Sequence, residues 1–468
     1  MQMTNQGALT REEIDSLGTV SIPQQALYGS NTARALKNFP FDDRVLGQES
    51  CLVQSLGRIK KACALANMNM GTIEQTVGSA LVDACDEMIG GALNEHLVVP
   101  ILEGSGGTST NMNANEVLAN RALQLLQRMP GDYAAVHPND HVNCSQSTND
   151  VIPSALKLAA FALVTEARQR LDNLAAALAT KSTEFSTVYR LGRTCLQDAQ
   201  PMTLGQAFEG YAAVISRAAE RITTRQQALL AIPLGGTAIG TGLGSSSGFQ
   251  TEVFRQLQTI TGLAVTPSGN RFDGMQNLDE LQRLSAELET VAGVMAKIAK
   301  DFMLLSSGPA GGLGEITLPA VQPGSSIMPG KVNPVIPMSV VQLSQIVHGN
   351  HCCITMACQD GMLEINHYEH SLASRLFDSL HRLTEVAASF ADRCVNGIEA
   401  NAARSMENLQ KSYALATTLV PKLGYVEVSK LVKESVRAER PFLEIAQERN
   451  LISESEILEL IKASVEIR

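Results

Sequence analysis

Apolar residues recur at helical spacing over long stretches of this chain. Leu156, Ala160, Leu163, Ala167, Leu171, Leu174 and Leu178 step by three and four and form one stripe. Pro153 stands just ahead of it, and the pattern predicts a helix starting at that proline. A second stripe runs through Leu281, Leu284, Leu288, Val291, Met295, Ile298, Phe302 and Leu305. Residues 203–232 and 337–356 predict a third and a fourth long helix. Long helices of this kind predict a bundle. Val294 and Leu304 are apolar outside the stripe. A helix apolar on two sides packs on two partners, which points to association of copies through the bundle.

The rest of the chain is less regular. The first forty residues are mixed and turn-rich, with Gly18, Pro23 and Gly29, and helical pattern begins near Glu49. Residues 104–107 and 138–140 interrupt it, and a domain boundary is expected close to Asn143. Two glycine-rich stretches, 233–248 and 308–334, separate the long helices. From about Asn401 the chain is more polar and predicts short helices punctuated by Gly424 and Pro441.

Composition narrows the picture. A length of 468 residues predicts two or three domains. Hydrophobic residues make up 44% and aromatics only 4%, so Leu, Ala, Val, Ile and Met must fill the core, a palette that favours helices. A net charge of -10 excludes a basic nucleic-acid footprint. No apolar run is long enough to span a membrane. The nine cysteines are scattered, without a CxxC pair, as expected for buried reduced thiols of a cytoplasmic protein. The opening MQMTNQGALTREEIDSLG carries acids early and no apolar core of a signal peptide.

Four segments concentrate hydroxyl and amide side chains beside glycine: GSGGTSTNMNANE (104–116), HPNDHVNCSQSTND (137–150), GRTCLQDAQPMT (192–203) and GSSIMPGKVNP (324–334). Such residues favour caps and turns, so each segment alone reads as a loop or cap. Together they read as a polar cleft suited to carboxylates, with Lys331 as its fixed cation. Ser325 and Ser326 do not sit in GxSxG, and neither His nor Asp adjoins them. A serine can act as a base instead, if positive charge and backbone donors hold its alkoxide. The stretch 233–248 is neither a Walker loop nor a dinucleotide fingerprint, and reads as a structural turn. His348 and His351, followed by Cys352 and Cys353, read as core packing ahead of a metal cluster.

These segments resemble the superfamily of fumarase, aspartase, argininosuccinate lyase, adenylosuccinate lyase and the delta crystallins, whose signature is GSSIMPGKVNP. The resemblance runs from LYGSNTARALKNFP (27–40) through CVNGIEAN (394–401) and beyond. Tyr28, Thr148 and the continuation KVNPVIP resemble the aspartase branch more than class II fumarases. VHPNDHVN and LGGTAIGTGL lean towards fumarase or are neutral. The resemblance implies an all-α fold of three helical domains: a mostly helical N-terminal domain over 1–146, a central long-helix bundle over 147–402 carrying the signature loop, and a small C-terminal domain over 403–468. It implies a homotetramer with a twenty-helix core and active sites shared between subunits. It implies a small dicarboxylate substrate, and elimination of ammonia from aspartate to give fumarate, without a redox cofactor; some aspartases respond to divalent cations, and the sequence encodes no metal site that would account for this.

Residue by residue, Ser325 resembles the general base. Thr108, Ser147, Thr148 and Ser326 resemble the donors to the β-carboxylate, with Ser109 among the substrate-binding residues. Thr194, Lys331 and Asn333 resemble the clamp on the α-carboxylate, and Asn149 a contact of the leaving amine. The loop 321–335 would close over substrate. Cys195 and Met338 depart from the pattern. Fumarases and some aspartases carry His after the Thr of GRT, paired with Glu in the helix after KVNP. Their loss argues against a hydratase, and leaves open a pocket for a substituted amine. EINHYEH (364–370) departs where relatives read LNVxxP, and His367, Tyr368 and His370 read as subunit-contact residues. A crystallin-like structural role is the non-enzyme alternative. Retention of Ser325, Lys331, Asn333, Thr108 and Thr148 argues against it.

Overall fold

The computed structural model describes residues 9–42 and 44–466. The first eight residues, part of the opening read above as no signal peptide, lie outside the described residues. The chain divides into two compact units. One comprises residues up to Glu166, Arg221–Leu288 and Val347–His381; the other comprises Ala167–Glu220, Glu289–Ile346 and the chain from Arg382 onward.

Helices dominate, as the stripes predict. The first long helix, Thr148–Glu184, has 37 residues and is about 55 Å long. Every residue of its predicted stripe is buried, as is every residue of the stripe on Asp279–Leu305. Leu204–Ala228 and Val335–Gln359 are the third and fourth predicted helices. A fifth, Glu369–Arg393, lies outside the elements the stripes single out. Each of the five contributes residues to both units. Among the described residues no helix is long and apolar enough to cross a membrane.

Pro153 is inside the first long helix rather than at its start. The helix begins at Thr148 because Asp150 accepts the Ser147 N–H at 2.9 Å. Pro153 is the sixth residue of the helix, past the N–H groups that lack an intrahelical acceptor, so the helix forgoes the bond to Asn149 O there.

In the first unit, strands Thr10–Asp15 and Gly18–Pro23 form an antiparallel hairpin. Arg34 ties it to the helix Ser30–Asn38 through both oxygens of Asp15, at 2.7 and 2.8 Å. That helix is capped from a distance. The buried Glu116 carboxylate accepts the N–H groups of Gly29, Asn31 and Thr32 at 2.7, 2.8 and 3.2 Å, and the Thr32 hydroxyl at 2.7 Å. Burial pushes the Glu116 carboxyl up, and these donors oppose the shift. Gly29 is required by close approach, since a Cβ there would stand 2.8 Å from Glu116 and Glu13.

In the second unit, Tyr189–Thr194 and Gln197–Thr203 form an antiparallel hairpin, so the segment read as a loop or cap is largely strand. Cys195 and Leu196 make its tip with φ of 52° and 61°, the left-handed backbone that tight hairpin turns demand. Phe185, Phe208, Tyr211, Phe302 and Phe390 stack as one aromatic core, with centroids 5.3–5.7 Å apart. The short helices after Asn401 pack around Phe442 and against Leu191 of the hairpin. Gly424 and Pro441 separate them as predicted.

Candidate active site

The first unit brings two helix starts together. Thr108 opens the helix Thr108–Leu125 and is exposed; Ser147 immediately precedes the helix Thr148–Glu184. Asn111, one turn into the first helix, donates to Thr148 Oγ1 at 3.2 Å. With its acceptor capacity engaged there, the Thr148 hydroxyl hydrogen is free to point outward as a donor. Two helix starts bearing the Thr108, Ser147 and Thr148 hydroxyls are an arrangement able to receive a carboxylate.

A buried amide network lies beneath. Asn143 Oδ1 accepts from Lys60 Nζ at 3.1 Å, from Asn111 at 3.1 Å and from Asn115 at 3.2 Å. Lys60 also donates to Gln146 Oε1 at 3.0 Å. Lys60 is fully buried, and burial pulls its ammonium down to about 8. A chain of hydrogen bonds thus links Lys60 to Thr148 through Asn143 and Asn111. Lys60 was not among the expected site residues. The signal that could have found it is its spacing: it shares the buried face of its helix with Leu56, Ile59 and Cys63.

Asp150 holds the glycine-rich turn after residue 233. It accepts the N–H groups of Gly235 and Thr237 at 2.9 and 3.0 Å. Burial raises this carboxyl to about 6 against its three backbone donors and Lys60. The turn is therefore structural, as expected. Asn149 donates its amide to Ala238 O at 2.8 Å, which leaves its carbonyl oxygen for another partner. Ser147 Oγ accepts the Asn149 N–H at 3.2 Å.

The segment 104–116 is not a loop throughout. From Thr108 it is a helix whose Asn111, Asn113, Asn115, Glu116 and Asn120 are all buried. Poor helix propensity is overcome because these side chains serve neighbouring backbone. Asn113 donates to His96 O, and Asn120 donates to Leu27 O and accepts from Gly131 N.

The second unit carries the other candidates. On the exposed loop, Ser325 Oγ accepts the N–H groups of Ile327 and Met328 at 3.2 and 3.0 Å. Asn333 donates to Gly324 O at 2.7 Å, and Gly324 N donates to Lys331 O at 2.8 Å, closing the loop on itself. Ser326 and Lys331 are exposed. Thr194 and Cys195 stand exposed at the hairpin tip, and Met338 is also exposed. Glu315, fully buried, ties the hairpin to the chain leading into the loop: it pairs with Arg190 at 3.0 Å and Arg193 at 2.7 Å.

Some expectations are corrected. His348 and Cys352 are exposed rather than core-packed, and His351 bonds Ser285 at 3.0 Å. Only Cys63, Cys85 and Cys394 are buried thiols; Cys195 and Cys352 are exposed. Among the described residues no group of His, Cys, Asp and Glu is arranged to hold a metal.

Known proteins resemble this chain over nearly its whole length. A family model described as lyase matches residues 18–349. The chain is 41% identical to an aspartate ammonia-lyase of a Bacillus species over 451 residues, covering 96% of each. It is 40% identical to a class II fumarate hydratase of Rhizobium meliloti over 91% of each. The solved structure of fumarate lyase:delta crystallin from Brucella melitensis, bound to cobalt, superposes with a TM-score of 0.95 at 42% identity, over 98% of this chain and 100% of that one.

Proposed function

Because the chain belongs to the lyase family that unites aspartases and class II fumarases, we propose that it removes ammonia from L-aspartate to give fumarate. The observation that carries the reading is the environment of Ser325. Its Oγ accepts two backbone N–H groups on a loop that also bears Lys331. Those two donors stabilise an alkoxide, which makes the serine a base.

In this reading Ser325 Oγ takes the proton from the carbon beside the β-carboxylate. The electron pair moves into that carboxylate, giving a dianion. Thr108, Ser147, Thr148 and Ser326 hold it, with Ser109 beside them and Lys60 behind. Collapse of the dianion breaks the C–N bond and releases ammonia, with Asn149 at the leaving amine. Thr194, Lys331 and Asn333 clamp the other carboxylate. The chain needs no redox cofactor for these steps.

The four segments meet, in this reading, across subunits of a homotetramer. Val294 and Leu304 support it as apolar residues outside the buried stripe, Leu304 exposed and Val294 half-buried; the open cavity of about 610 Å³ they border is also lined by Arg190, Arg193, Lys297 and Asp301. The three-domain division 1–146, 147–402 and 403–468 belongs to the same reading. Nine free cysteines support a reducing, cytoplasmic setting.

A second reading rests on Cys195 and Met338, both exposed and neither ionic. They favour a substituted amine over free ammonia as leaving group. The test follows fumarate formation by ultraviolet absorbance with aspartate, malate and N-substituted aspartates. Aspartate alone giving product supports the proposal. Malate alone overturns it in favour of a hydratase, and substituted aspartates alone select the second reading.

A further inference from the structure

The segment EINHYEH takes no part in these steps, yet it forms the floor of the turn that presents Thr108 and Ser109. His370 is buried, against the expectation of a subunit-contact surface, whereas Tyr368 is exposed. Gly106 and Gly107 take φ of 64° and 86°. A Cβ on Gly106 would stand 3.3 Å from His367 Cβ, and one on Gly107 would stand 3.2 Å from His370 Cε1. The turn's backbone therefore rests directly on the two histidines.

Polar contacts fix the turn from below. His370 Nε2 lies 2.9 Å from Thr110 Oγ1, in the first turn of the helix that Thr108 opens. The same nitrogen lies 3.7 Å from Glu103 Oε1. The other Glu103 oxygen accepts the Ser105 N–H, and Ser105 Oγ accepts the Ser109 N–H at 2.8 Å. One chain of contacts thus runs from His370 to Thr110, and another from Glu103 through Ser105 to Ser109.

The cluster is costly to maintain. Glu103, Glu369 and His370 are all buried, and Glu103 Oε1, Glu369 Oε1 and His370 Nδ1 have no hydrogen-bond partner. Burial, then the Glu103 charge, holds the Glu369 carboxyl well above its usual range. Three unpaired buried polar atoms in one place call for a purpose beyond packing.

We propose that His370 and Glu103 are positioning residues that set the glycine turn, and with it the Thr108 and Ser109 donors, for gripping a substrate carboxylate. The inference rests on the reading of the site given above. A turn released from this floor weakens the grip on bound substrate and, more, on the dianion formed in the reaction, so the loss falls on kcat/KM and reaches kcat as well. The base stands on a different segment and is untouched.

The test compares Thr110→Val, His370→Ala and His370→Gln in the full-length protein. Thr110→Val removes one hydroxyl at nearly constant shape, so a folding failure of His370→Ala does not end the test. kcat/KM for the dicarboxylate substrate is expected to fall about tenfold in Thr110→Val and His370→Ala, with part of the loss in kcat. His370→Gln keeps a group able to bond Thr110, and is expected to hold kcat/KM within about threefold of the parent. Hydrogen exchange of the amides from 105 to 111 is read in parallel, and should quicken in Thr110→Val and His370→Ala only. Unchanged kcat/KM in both, equal damage from Gln and Ala, or unchanged exchange would each overturn the proposal. An inert parent protein whose turn still loosens in His370→Ala would count against the reading of the reaction, not against the link between His370 and the turn.

Discussion

Ser325 Oγ accepts the Met328 N–H at 3.0 Å. The contact closes a tight turn, and it also aims a partial positive charge at an oxygen that must give up its proton to act as a base. The neighbouring Ile327 amide does the same. Neither donor belongs to a side chain, so no motif search for a catalytic partner would find them.

Replacing Ser325 by Ala should therefore remove the base without disturbing the fold. Turnover is expected to fall at least about a hundredfold, with the helical circular-dichroism signal and oligomeric state unchanged. A rate equal to the parent's would take the role away from this residue.

Lys60 gives the reaction an alkaline limit. The ammonium is charged below about 8 and neutral above it. The positive field behind Thr148 is therefore present at neutral pH and fades as pH rises through that value. The profile of kcat/KM should bend downward near pH 8 in the parent. Lys60→Met should start at least about tenfold lower and lose the bend. The same bend in both proteins would assign it to another group.

Glu315 balances two guanidinium groups in a buried place. Glu315→Gln keeps the shape and leaves Arg190 and Arg193 without their counter-charge. A loss of about 3–5 kcal/mol is expected, read from denaturant midpoints. A midpoint shift near zero would mean that water reaches the pair.

Gly29→Ala tests the remote cap. The new methyl group would meet two carboxylates at 2.8 Å, one of them locked by its donors from the helix start at Asn31 and Thr32. A cost of about 1–3 kcal/mol is expected. Because φ at Gly29 is -119°, backbone strain contributes nothing, and the result isolates crowding.

Much of this architecture is legible in the chain itself. Spacing of apolar residues yields four of the five long helices, since burial on one face imposes the helical period. The fifth, Glu369–Arg393, opens with a buried glutamate and histidine, which hides its start. The helix from Thr108 is obscured because Asn and Thr disfavour helices, and only the three-dimensional neighbours show what their amides satisfy. The hairpin 189–203 is obscured because its tip residues, Cys195 and Leu196, carry no turn signal. Lys60 looks like one half of an ordinary Lys pair until its burial is known.

The five long helices also have a topological corollary. Each starts in one compact unit and ends in the other, so severing any connecting loop cannot release a free-standing half. A protease that nicks the exposed loop near Lys331 should yield two fragments that stay together until denaturant is added. Attempts to express either unit alone would have to cut through helices, and should give insoluble product.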